Sequence, residues 1–110
     1  MMHGVTVALI FNAFDLLSGI AAAVKEKDLQ SSKLRDGIFK KAGFLLCYAL
    51  AILIDTQGSY IGLKLEVEIL PIIVSYVVLT ETVSIIENIS RLNPELLPDK
   101  LLEMFHVKQQ

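Results

Sequence analysis

The chain has 110 residues, of which 54% are apolar and 20% charged, with a mean hydropathy of +0.58. That balance excludes intrinsic disorder, and it leaves too few polar groups to cover a small water-soluble domain, whose surface is large for its volume. The net charge of −2 gives no basic footprint for nucleic acid, and a single cysteine, Cys47, cannot close an internal disulfide. The first apolar run, Gly4 to Val24, has 21 residues and one formal charge, Asp15. As a helix it would be roughly 30 Å long, the thickness of a hydrocarbon core. No Lys or Arg precedes it, so it does not read as a signal peptide, although Ala21-Ala22-Ala23 loosely resembles a cleavage site.

Residues 25–41 read as a basic linker, with Ser31 and Ser32 able to cap a short helix and Gly37 expected to break or bend it. A second span is expected over residues 42–58, built on the apolar run Ala42 to Ile54, with Asp55 and the turn residues Gln57-Gly58-Ser59 at its end. A third is expected over 63–89, with Pro71 in the first turn of the helix or at a kink. Asn93-Pro94 reads as the start of a final helix, with Pro98 as the other possible start. In the tail, 94–108, Leu97, Leu101, Met104 and Phe105 share one face, as in an amphipathic segment lying on a membrane or a partner helix. The expected fold is all-α: one integral membrane domain of about three transmembrane helices and a short amphipathic C-terminal helix.

Charge sets the expected topology. Six of the ten basic residues (Lys25, Lys27, Lys33, Arg35, Lys40 and Lys41) fall in the linker, and three more (Arg91, Lys100 and Lys108) follow Ile89. Only Lys64 lies between the second and third spans. The positive-inside rule therefore puts the linker and the C-terminus in the cytoplasm and the N-terminus outside. Lys33, Arg35, Lys40 and Lys41 are the expected contacts to anionic lipid.

Charged side chains in hydrocarbon cost about 2.5–3.5 kcal/mol on insertion scales and generally face protein or water. Asp15 shares a helix face with Ser18 and Ala22, beside the small pair Gly19 and Ala23, so this face is expected at a helix–helix contact. Glu81, Ser84 and Asn88 share a face of the third span, and Thr80, Ser84, Glu87 and Arg91 form an adjoining stripe, with Glu87 and Arg91 spaced as an i,i+4 pair. These residues are candidates for an interior or pore-lining surface, although Glu87 can equally lie among the headgroups. With the basic linker expected at the membrane surface, Glu81 should find no cation within its own chain. Nucleotide-binding and zinc-protease motifs are absent, and His3 and His106 stand alone. His3 is expected to be exposed at the terminus, and Cys47 to be a small buried hydrophobe. No catalytic residue, cofactor or metal is expected.

Several segments resemble one family in order and spacing. Asp15-Leu16-Leu17-Ser18-Gly19-Ile20-Ala21-Ala22-Ala23 is similar to a D-x-x-[ST]-G-x-x-x-A segment, and Ser31-Ser32 with Gly37-Ile38-Phe39-Lys40-Lys41 to its linker. Ile54-Asp55 resembles the close of its next span, Glu81-Thr82-Val83-Ser84-Ile85-Ile86-Glu87-Asn88 its E-x-x-S-I-x-E-N signature, and Pro98 with Leu101-Leu102 its ending. The family is that of the toxin-secretion and phage-lysis holins of Gram-positive bacteria and their phages. Many members carry a further glycine-rich stretch before the segment matching Asp15, and here 14 residues precede it. The resemblance implies a non-enzymatic protein of the bacterial cytoplasmic membrane that forms homo-oligomers and opens lesions. Such lesions release endolysin or a large protein such as a toxin. The alternatives are a short antiholin-like regulator that pairs with a holin, and a small channel or transporter subunit.

Overall fold

The computed structural model describes residues 2–27 and 31–105. Three long helices, α1 (Met2–Lys25), α2 (Ser31–Gln57) and α3 (Ile69–Leu92), are followed by a short one, α4 (Asp99–Met104), and there is no strand among the described residues. Each long helix is long and apolar enough to cross a membrane. The fold is therefore all-α, with three membrane-length helices and a shorter C-terminal one. The body measures 52 × 32 × 19 Å.

Each long helix buries one stripe at helical spacing. On α1 the stripe is Ala8, Asn12, Asp15, Ser18 and Ala22; on α3 it is Leu70, Val77, Glu81, Ile85 and Asn88. On α2 it runs through Lys41, Phe44, Tyr48, Ala51 and Asp55, buried or half-buried. Large apolar side chains point outward instead, among them Ile10, Phe14 and Leu17 on α1, Leu46, Leu50 and Leu53 on α2, and Tyr76 and Leu79 on α3. A helix bundle that is polar inside and apolar outside suits a lipid solvent. Cys47 belongs to this outer surface and is exposed, contrary to its expected burial. It has the same polarity as its apolar neighbours, so composition could not tell an inward face from a lipid-facing one.

Helices α1 and α3 run parallel and form the main contact, while α2 runs antiparallel to both and touches them less. Small residues let the parallel pair approach closely. A Cβ on Gly4 would lie 3.5 Å from Val74, and one on Gly19 would lie 3.5 Å from the Asn88 amide nitrogen. Ala8, Tyr48 and Val77 form the apolar centre, one from each helix, with Val5, Phe44, Ile73 and Val74 around them.

Both ends of α3 are fastened by side chains from its neighbours. The first N–H groups of a helix lack intrahelical partners. Those of Ile69 and Leu70 each donate to a carboxylate oxygen of Asp55, both at 2.7 Å, and Pro71 has no N–H to satisfy. Pro71 thus stands in the first turn and does not kink the helix. At the other end, Lys25 Nζ donates to the carbonyls of Arg91 and Leu92, a cation placed where the helix dipole is negative.

Three boundaries differ from the sequence expectations, and at a fourth the structure takes the Pro98 start of the two that the sequence offers. Helix α2 begins at Ser31 and passes through Gly37 without a break, so most of the expected linker is its first three turns. The second span ends in a 3-10 turn, Gly58–Ile61, closed by Gly62 in the left-handed region at φ 76°. Residues 63–68 are not helical, and α3 starts at Ile69, where the Asp55 cap is available. Asn93 forms a turn, accepting from Glu95 N–H through its side chain, and the last helix starts after Pro98. In that helix Leu102 is the buried residue, packed on Ile86 with Val83, Leu97 and Phe105 around it. Met104 points outward and is 68% exposed, so the expected face was rotated.

Candidate functional site: a buried charge cluster

The midpoints of the three long helices carry Asp15, Lys41 and Glu81. By helical rise each lies about 15–17 Å from the helix terminus at the Lys25/Leu92 end of the bundle. Lys41 Nζ sits 2.8 Å from Asp15 Oδ2 and 3.4 Å from Glu81 Oε2. Lys40 Nζ approaches Glu81 Oε1 from outside at 3.9 Å and lies 5.7 Å from the centre of the Phe44 ring. Glu81 is fully buried and Asp15 nearly so. Lys41 thus sets one ammonium group between two buried carboxylates, and Lys40 adds a second from the exposed side, which lowers the cost of a bare charge.

Hydrogen bonds extend the cluster toward the Lys25/Leu92 end, and a separate buried bond lies on its other side. Asn88 Nδ2 donates to Asp15 Oδ1 at 3.1 Å, to the Asp15 carbonyl at 3.2 Å and to Ser18 Oγ at 3.0 Å. Ser18 Oγ donates to the Asp15 carbonyl at 3.1 Å. Arg91 donates to Asn88 Oδ1 and to the Glu26 carboxylate. Toward the other end, Tyr48 OH donates to Asn12 Oδ1 at 2.9 Å, with both residues buried. A polar path thus runs from the charged centre to Arg91 and Glu26 at one end of the bundle. Asn12 Nδ2 and Glu81 Oε1 are buried without a hydrogen-bond partner.

Asp15, Ser18, Ala22, Glu81 and Asn88 are buried at helix contacts, Gly19, Ala23 and Ser84 are half-buried beside them, and the Ser84 hydroxyl faces Asp15. Glu87 is exposed and makes no part of the cluster, and Arg91 pairs with Glu26 across helices instead of with Glu87 along its own. Among the expected lipid contacts, Arg35 is exposed, and the Lys33 side chain lies outside the described residues. Lys41 is turned inward, so it is a core residue and not a lipid contact, and Lys40 leans toward Glu81. The expectation that Glu81 lacks a cation in its own chain is therefore corrected. It followed from placing residues 25–41 in a surface linker; once they are helical, Lys41 falls on the buried stripe of α2. Asn12 and Tyr48 were not singled out, although Asn12 lies three residues before Asp15 and Tyr48 seven after Lys41, each on the same helix face. His3 is exposed as expected, and His106 lies outside the described residues.

Nothing in this site points to catalysis. Among the described residues no group of three His, Cys, Asp or Glu could hold a metal ion. Its acids and bases neutralise one another within a helix contact. The bacteriophage holin family matches residues 1–109, nearly the whole chain. No curated protein and no solved structure matches. With its three membrane-length helices enclosing their charges, the chain belongs to the bacteriophage holin family, whose members are non-enzymatic, pore-forming membrane proteins.

Proposed function

We propose that the protein acts as a holin of the bacterial cytoplasmic membrane, accumulating with its N-terminus outside and C-terminus inside, oligomerising, and opening lesions that release endolysin or a large protein such as a toxin. The observation that carries this reading is the charge cluster sealed between helices whose outer surfaces are apolar. Lipid tolerates such a bundle while the polar stripes face one another. If copies associate and the helices part, the same stripes of α1 and α3 can line water, where their charges need no internal partner. Helix α2 is the element suited to move, because it packs less closely than the α1–α3 pair and holds its place through Lys41, Tyr48 and Asp55.

Inducible expression in a bacterium carrying a potential-sensitive dye and a cytoplasmic protein reporter tests the function. Abrupt depolarisation with release of the reporter is expected. Depolarisation without release would make the protein an ion channel subunit, and neither event would make it a regulator of another holin. For topology, single cysteines at positions 33 and 59 in a Cys47→Ser background should label from the cytoplasm and from outside, respectively. The reverse pattern would overturn the orientation.

A further inference from the structure

The connection between α2 and α3 is apolar where a water-facing loop would be polar. Tyr60 and Ile61 are 82% and 81% exposed, and Leu65 and Val67 are 50% and 63% exposed. They stand among Lys64, Glu66 and Glu68, which are exposed as well. The outward stripe of α2, Leu46, Leu50 and Leu53, advances by four and then three residues. The same steps lead to Gln57 and then to Tyr60 and Ile61 in the 3-10 turn. The apolar belt that faces lipid along α2 therefore continues past the end of the helix into the loop.

Two constraints fix the depth of this segment. Protein leaves Tyr60 and Ile61 largely uncovered and Leu65 and Val67 half-covered, so water is a poor surrounding for them. The backbone of residues 64–68 is not helical, so hydrocarbon would leave N–H and C=O groups there without the partners a helix supplies. Only the interfacial layer offers apolar chains and water together. Tyrosine favours that layer, and a lysine such as Lys64 can extend from it to lipid phosphates. We propose that residues 60–67 form an anchor whose partner is lipid, lying in the interfacial layer of the leaflet at the Gln57–Ile69 end of the bundle. The anchor pins that end at a set depth while Asp55 ties α2 to α3 just beneath it.

The proposal rests on the bilayer placement of the helices, and the test separates the two. The chain contains no tryptophan and three tyrosines, so Ile61→Trp and Leu50→Trp each introduce a sole tryptophan, excited at the red edge where tyrosine does not absorb. Each full-length variant is reconstituted at low density in phosphatidylcholine vesicles with acyl chains brominated either near the headgroup or near the terminus. Ile61→Trp should emit at shorter wavelength than indole in water and lose most of its emission to the shallow bromines. Leu50→Trp should be quenched more by the deep ones. Quenching of Ile61→Trp by aqueous iodide but by neither lipid, with Leu50→Trp quenched as expected, would overturn the anchor alone. A blue shift that appears only as protein density rises would identify a second copy as the occupant and overturn it too. Failure of both lipids to quench Leu50→Trp would overturn the bilayer placement itself.

Discussion

Lys41 is the residue on which the interior depends, because one ammonium group serves carboxylates from two other helices. Removing one member of a buried ion pair leaves an uncompensated charge and costs about 3–5 kcal/mol, whereas replacing all members with neutral groups of similar shape is often neutral or stabilising. Lys41→Met is therefore expected to lower the thermal unfolding midpoint in detergent. Asp15→Asn, Lys41→Met and Glu81→Gln combined should recover most of the loss. Circular dichroism melts of the single and triple variants check this, and equal losses in both would show that the charges are not coupled. Gly19 acts at the same scale. A leucine there would push on Asn88, which already donates to Asp15 and Ser18, so Gly19→Leu should unfold at lower temperature even when the protein is too dilute to associate.

At the scale of elements, the α2–α3 hairpin is held by a carboxylate at a helix N-terminus. Losing a capping side chain costs about 0.5–2 kcal/mol. Asp55→Ala should leave α3 intact in its middle while the amides of Ile69 and Leu70 exchange hydrogen much faster, as followed by mass spectrometry or NMR. The short helix α4 depends on Leu102, which is buried against Ile86. Leu102→Ala, at about 2 kcal/mol or more for a lost core side chain, should expose residues 93–105 to protease without lowering the melting point of the bundle. These elements also show what the sequence makes legible. One apolar run of membrane length and two shorter ones are plain from hydropathy, and Asp15, Ser18 and Asn88 are marked by being polar within the spans built on them. The capped start of α2 at Ser31 was legible, but its continuation into the second span was hidden, because the first turns are charged and contain Gly37, a weak helix former. The inward turn of Lys41 was hidden for the same reason. The start of α3 at Ile69 depends on Asp55, 14 residues earlier, a distance that no local pattern reports.

As a whole, the molecule is a close parallel pair with a looser antiparallel partner. The contacts that join α1 to α3 link residues 65–73 positions apart, while those joining α1 to α2 span 26 or 36. Cutting the chain between α2 and α3 and co-expressing the two pieces should still return an assembled bundle, because α1 contacts both. Copurification through a tag on one fragment is the measurement, and failure to recover the other would assign the assembly to the connecting loop.

The span between Asp15 and its partners also has a consequence in time. A ribosome adds about 5–20 residues per second. Asp15 emerges 26 residues before Lys41 and 73 before Asn88, so about 1–5 seconds pass before its cation is made and about 4–15 seconds before its amide partner. During that interval α1 carries a lone carboxylate that lipid disfavours. The newborn helix is thus expected to linger at the insertion machinery or the membrane surface and to settle across the bilayer only once α2 follows. A nascent chain arrested before Lys41 has emerged should remain extractable by alkaline carbonate, one arrested beyond Gln57 should resist extraction, and Asp15→Leu should abolish the difference.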